Sequence, residues 1–176
     1  AGSLTGSAQL LTKVWFPRLL VPTAAVLAAG PDLAISLPVL AGLMFWTGIG
    51  PGAAPAGLLV LPLLLSLLVL LAVGVGAGLA ALNVRYRDVR HALPFLVQLW
   101  MFATPIVWPL SLATAGVRRV AILNPLCGIV EGSRAALTGR PLPVDAIAAS
   151  IVVTLAVSLL GLAYFQKVER SFADEI

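Results

Sequence analysis

The sequence predicts an all-α, polytopic membrane protein: four transmembrane helices, an amphipathic helix on the cytoplasmic side and a re-entrant or interfacial helical region, all in one domain over 1–176. Three observations carry this. Hydrophobic residues make up 60% of the 176 and charged residues only 10%, against roughly 25% charged in soluble domains. The mean hydropathy is +1.06, and no water-facing surface can be assembled from that composition. Finally, long uncharged runs alternate with short polar segments. Residues 58–82 carry no charge and as a helix reach roughly 37 Å, where the hydrocarbon layer needs ~30 Å. The polar segment that follows holds Arg85, Arg87, Arg90, His91 and Asp88.

Residues 6–18 form the first unit. Leu10, Leu11, Val14 and Trp15 share a helical face, Gln9, Thr12 and Lys13 lie off it, and Pro17 ends it. This is a short helix at a membrane surface, either an interfacial anchor or a docking helix for another protein. Residues 19–47 are apolar enough to span, yet Pro22, Gly30-Pro31 and Pro38 interrupt them, so a kink or break is expected near the middle. Asp32 sits there. A carboxylate at bilayer depth costs roughly 2.5–3.5 kcal/mol, and it serves either as a pathway residue or as a cap for the helix half that restarts after Pro31.

Residues 48–55, rich in Gly and Pro, form a turn outside the bilayer. The second span, 58–82, carries Gly74 and Gly78 at the spacing that lets another helix approach closely. Residues 93–110 are apolar but hold Pro94, Pro105 and Pro109; they either cross as a bent span or turn back. Residues 111–143 are more polar. Within them Asn124 is a helix cap, Pro125 the first helical position and Gly139 the stop, with Glu131 and Arg134 three apart and able to pair. Asp145 is read as the cap of the last span, 146–165, whose Ser150, Thr154 and Ser158 form a stripe facing protein or water. Trp15, Trp46, Tyr86, Trp108 and Tyr164 fall at span ends, as an aromatic belt does.

Net charge is +4 from eleven Lys and Arg, but these sit beside apolar runs, the pattern of a membrane anchor rather than of a nucleic-acid stripe. Lys13, Arg18, Arg85, Arg87, Arg90, Lys167 and Arg170 fall on one side of the predicted membrane. Arg118, Arg119, Arg134 and Arg140 fall on the other. The excess puts both ends of the chain and the Arg85 loop in the cytoplasm. One cysteine, Cys127, excludes an internal disulfide, and one histidine leaves no metal cluster. Neither Lys13 nor Lys167 stands in a phosphate-binding loop, no nucleophile elbow exists, and the carboxylates are scattered. No catalytic residue, metal or cofactor is expected; any ATP hydrolysis belongs to a partner. The opening Ala1-Gly2-Ser3 suggests part of a longer protein.

Several stretches resemble the membrane permeases of type-2 ATP-binding-cassette exporters of polysaccharides. They are Leu11-Thr12-Lys13-Val14-Trp15-Phe16-Pro17-Arg18, then Asn83-Val84-Arg85-Tyr86-Arg87-Asp88-Val89 continuing to Phe102-Ala103-Thr104-Pro105-Ile106-Val107-Trp108-Pro109, then Asn124-Pro125-Leu126 with Glu131-Gly132, and the tail Val168-Glu169-Arg170-Ser171-Phe172-Ala173-Asp174. The resemblance implies a plasma-membrane permease acting as a homodimer with ATPase subunits and moving a lipid-linked glycan; the family's N-terminal helix and first two spans would precede the part present here. It further implies ATPase coupling through Leu11, Lys13, Val14, Phe16, Pro17 and Arg18 together with Arg85, Tyr86, Arg87 and Asp88, and an outer gate containing Asn124, Pro125, Glu131 and Arg134. A sugar path wants aromatic faces and hydrogen-bonding groups. Phe95, Trp100, Phe102 and Trp108, with Asp32, are the candidates, ordinary packing being the alternative for each aromatic. Other expectations are a permease of the same fold for a drug or lipid, and a non-transporting membrane scaffold.

Overall fold

A computed structural model describes residues 20–48, 55–86, 88–106 and 108–173, and all regular structure among them is helical. In chain order the α-helices are α1 (Leu20–Leu27), α2 (Gly30–Thr47), α3 (Leu61–Arg85), α4 (Val89–Ala103), α5 (Ala115–Ala121), α6 (Pro125–Thr138) and α7 (Val144–Ala173), with short 3-10 turns at Pro55–Val60 and Leu110–Leu112. Among the described residues three stretches are long and apolar enough to cross a membrane: Pro22–Thr47, Leu61–Arg85 and Val144–Arg170. Helices α5 and α6, bent 105° to one another, make up a fourth if they count as one broken span.

The core is the pairing of α3 with α7, and the order of its contacts makes the two helices parallel. Leu64 meets Ile147, Gly74 meets Ser158, Gly78 meets Gly161, and Ala77, Ala80 and Ala81 pack on Phe165. Small residues set this distance. A Cβ on Gly74 would collide with the Ser158 backbone, and one on Gly161 with the Gly74 carbonyl; bare backbone at both sites is what allows the approach. Ser158 Oγ donates to the Leu70 carbonyl at 3.1 Å, tying the seam with a hydrogen bond. Ser150, Thr154 and Ser158 are all buried there, so the hydroxyl stripe faces protein.

Because the two helices are parallel, their basic ends coincide. Arg85 closes the last turn of α3 and Arg170 the last turn of α7, each where a cation suits the helix dipole. Arg118 and Asp145, at the opposite end of α7, form an ion pair of 2.9 Å.

Helix α6 lies antiparallel to α7. Its first residues follow the predicted grammar: the Asn124 side chain accepts from the Leu126 amide, Pro125 opens the helix, and Gly139 at φ 68° closes it in the left-handed conformation. Gly128 sits against Ala146 and Ser150, and its amide donates to Ser150 Oγ at 2.9 Å. Gly132 packs on Leu64 and Ile147. Ser150 is six residues into α7, about 9 Å from its N-terminal end, so the N-terminus of α6 lies alongside the α7 span.

Several expectations need correction. The expected break in the first span is present, at Ala28 and Ala29 beside Gly30-Pro31, but Pro38 does not interrupt α2. Asp32 is not a cap: Ala29 holds that position without a side-chain bond, and Asp32 lies in the first turn. Its carboxylate follows the proline rather than preceding the helix, so it can favour the dipole but leaves the cap position to Ala29. Asp145 likewise lies within the first turn of α7, where it is engaged by Arg118. The stretch 93–110 is not one straight helix but bent, as one of the two expected forms has it. Helix α4 has 15 residues, about 22 Å, and the chain turns at Thr104. The predicted helix over 6–18 and most of the turn over 48–55 lie outside the described residues.

Candidate functional site

Helix α4 starts beside the Arg85 loop and ends against the start of α6. At its start, the Arg85 guanidinium lies 5.7 Å from the centroid of the Tyr86 ring, Tyr86 leaves the helix in an extended conformation, and Asp88 is exposed. Arg87 lies outside the described residues, as do Leu11, Lys13, Val14, Phe16, Pro17 and Arg18. At its far end the helix stops beside α6, and in a membrane the freed backbone groups of 104–106 and 108–110 need protein partners.

Those partners come from α6. Arg134 donates to Glu131 Oε1 at 2.6 Å, to the Ile106 carbonyl at 3.1 Å and to the Pro105 carbonyl at 3.4 Å. Glu131 Oε1 also accepts from the Leu110 amide at 2.8 Å. The pair predicted from its spacing thus does more than neutralise itself, since it completes the hydrogen bonds of a broken helix twenty to thirty residues earlier in sequence. Only 30% of the Arg134 side chain and 16% of that of Glu131 are exposed, so the bonds act in low dielectric, where they are strong when made and costly when lost.

Asn124 makes the second set of ties. Its Oδ1 accepts from Trp100 Nε1 at 3.1 Å and from the Leu126 amide at 3.1 Å, and its Nδ2 donates to Thr104 Oγ1 at 2.9 Å. Thr104 is fully buried and donates in turn to the Trp100 carbonyl at 2.8 Å. The carboxamide therefore caps α6 and clasps the end of α4 at once. Trp108 Nε1 donates to the Phe102 carbonyl at 3.3 Å, and its ring packs on a buried cluster of Leu110, Ala121 and Cys127.

The aromatic candidates separate. Val89, Leu93 and Trp100 are half-buried and face the body of the protein, whereas His91, Phe95, Gln98 and Phe102, spaced i, i+4, i+7 and i+11, form an exposed face opposite. Phe95 is 64% exposed and Phe102 59%. Asp32 is exposed on α2, where no residue is buried; Ser36 Oγ donates to its carbonyl at 2.7 Å. Of the small-residue candidates, Gly74 is in tight contact with α7 and Gly78 in looser contact. Thr104 is marked in the sequence only as part of the family-like stretch through Thr104-Pro105, one turn after Trp100. Its role emerges only when α6 is brought alongside.

Residues 8–138 match the family model of the ABC-2 type transporter, a stretch that contains the Arg85 loop, all of α4 and the entire clasp. The chain belongs to the ABC-2 type transporter family. As a family member it is a multi-pass permease component of the inner membrane. It is 32% identical over 181 residues to the O-antigen export system permease protein RfbA of Myxococcus xanthus, with 100% of this chain and 68% of that protein covered. It is 23% identical over 172 residues to the protein of the same name from Klebsiella pneumoniae, covering 98% and 66%. The chain thus spans about two thirds of the relatives it matches.

Proposed function

We propose that this ABC-2 chain is part of the permease of an exporter that moves a lipid-linked polysaccharide of the O-antigen kind across the plasma membrane, with ATP hydrolysed on a separate subunit. The observation that carries the reading is the break in α4 at Thr104 inside a family-matched span, backed by a polar network. A transporter needs irregular backbone at membrane depth where it lines or gates a path, and such backbone is tolerated only when protein groups satisfy it. The aligned relatives, exporters of O-antigen by name, support the substrate class.

In this reading the Arg85, Tyr86, Arg87 and Asp88 segment, with Leu11, Lys13, Val14, Phe16, Pro17 and Arg18, meets the ATPase. Asn124, Pro125, Glu131 and Arg134 belong to the outer gate. Phe95 and Phe102 offer ring faces to the C–H faces of sugars, with His91 and Gln98 as hydrogen-bonding neighbours, and Asp32 accepts from hydroxyls on a second unpartnered helix. Trp100 and Trp108, each engaged by the chain itself, hold the path's wall in place. A second copy of the permease faces α2 and α4 across the path, leaving their exposed faces open to the cargo. ATP binding would shift the assembly between two conformations through differential contact with the Arg85 face.

The test is deletion of the gene in its native host, followed by staining of surface polysaccharide and of the lipid-linked precursor. Loss of the surface polymer with internal accumulation of precursor is expected, restored by the full-length gene. An unchanged surface polymer would overturn the assignment, and accumulation of a non-saccharide lipid would redirect it.

A further inference from the structure

We infer that Asn124 is a positioning residue that makes α4 and α6 move as one body, so that displacement of the Arg85 loop is delivered to the outer helices. The inference rests on the export reading above for its purpose, but its geometry is independent of substrate. Helix α4 touches the rest of the molecule sparingly along its length: most of its side chains are exposed, and none is fully buried. Its ties are concentrated at the far end. Two of the bonds there, from Trp100 and to Thr104, converge on one carboxamide that also caps α6 at the Leu126 amide, and Thr104, at zero exposure, closes the loop back to the Trp100 carbonyl.

A rod anchored at one end and free along its shaft transmits displacement to whatever holds the anchor. Here that is the N-terminus of α6, whose own packing on α7 at Gly128 and Gly132 is close. Asparagine suits the node because a single side chain must both accept and donate. Aspartate keeps both acceptor bonds but has no donor for Thr104, whose hydroxyl must then choose between the carboxylate and the Trp100 carbonyl. Leucine keeps the size and loses all three bonds.

The experiment uses the full-length permease with its ATPase in nanodiscs, with native cysteines removed and spin labels placed in pairs. One pair, Val97→Cys and Arg140→Cys, reports on α4 against the end of α6; the other, Val97→Cys and Val69→Cys, reports on α4 against α3. Between the nucleotide-free state and the state trapped with ATP and vanadate, the first distance is expected to stay constant while the second changes. Equal changes in both, or no change in the second, would overturn the proposal. In Asn124→Leu the first distance is expected to broaden, with polymer export falling roughly tenfold, the effect of losing more than one net hydrogen bond; Asn124→Asp falls between. A Leu variant that assembles with an unbroadened distance also overturns it. Should the Leu variant fail to assemble, the wild-type distances and Thr104→Val, which removes only the hydroxyl, decide the matter. If the exported substrate were not a polysaccharide, the distances would still read out the coupling, so the two ideas fail separately.

Discussion

The seam between α3, α6 and α7 and the pair of helices α2 and α4 are built from similarly greasy sequence, yet they behave as opposites. In the seam, glycines and hydroxyls bring backbones together, and Gly74, Gly128 and Gly161 have no room for a methyl group. On α2 and α4 no residue is buried, and Phe45, Trp46, Phe95 and Phe102 are each more than half exposed. In lipid, apolar side chains gain little by leaving the bilayer for a protein neighbour, so close packing of small residues and interhelical hydrogen bonds decide which helices associate. Hydrophobicity says where the membrane is; small and polar residues say which helices meet. The α3–α7 pairing is therefore the rigid frame, α6 is the element that links it to α4, and the exposed helices are the surfaces that would serve partner and cargo under the proposed function.

The largest effect should come from breaking the frame. Gly161→Val places two methyl groups against the Gly74 carbonyl, and the overpacking is expected to cost about 3 kcal/mol or more. Thermal unfolding of the detergent-solubilised full-length permease should show a large drop in midpoint, while Gly76→Val, where open space surrounds the glycine, should show little. Equal losses at the two sites would mean that the seam is not what holds the bundle.

Next comes the polar network that joins the two regions. Glu131→Leu strands the Arg134 guanidinium and the Leu110 amide in a mostly buried site, and about 2–4 kcal/mol of destabilisation is expected. Arg134→Leu should cost a similar amount, because the Pro105 and Ile106 carbonyls lose their donor. The double variant should cost clearly less than the two singles together, since each single already disables the other partner. Additive losses would show that the two residues act separately. Arg134→Lys should rescue only in part, because an ammonium cannot spread its donors over a carboxylate and two carbonyls as the planar guanidinium does.

How much of this was legible beforehand follows from the range of each interaction. The Asn124-Pro125 start, the Gly139 stop and the Glu131–Arg134 pair are contacts within one or two helical turns, and local rules find them. The small-residue spacing at Gly74 pointed to a packed face because such a face needs no knowledge of its partner. Three things were hidden: that α4 ends at Thr104 rather than running to Pro109, that Arg134 reaches back to Pro105 and Ile106, and that Trp100 points away from Phe95 and Phe102. The first two depend on α6 folding back to supply bonds across more than twenty residues, which makes the early stop tolerable. The third depends on the angular position of each ring around α4. Composition alone grouped all the aromatics together.

A smaller effect is expected within the seam from single hydroxyls. Ser158→Ala removes one bond to the Leu70 carbonyl, and such interhelical bonds in membrane proteins contribute about 0.6 kcal/mol on average. The midpoint should fall slightly, and less than for any change in the Glu131–Arg134 pair. A large fall would mean that the seam relies on its hydrogen bonds more than on its close backbone contact.

The smallest effect on stability and the sharpest on transport should lie on the open face of α4. Phe95→Ala and Phe102→Ala remove rings that touch little of the chain itself, so the unfolding midpoint should move by no more than the ~0.5 kcal/mol typical of surface changes. If the face binds sugar, both variants should lower the yield or length of exported polymer, and Phe95→Tyr, which keeps the ring, should restore it. Trp100→Ala should do the reverse, costing stability through the lost Asn124 bond and packing even where no substrate is present. This crossing of effects separates the two regions: a ring that matters to the fold without cargo belongs to the frame, and a ring that matters only with cargo belongs to the path. If all three variants lost stability alike, the open face of α4 would be a buried contact with another copy of the chain, and the path would have to run elsewhere.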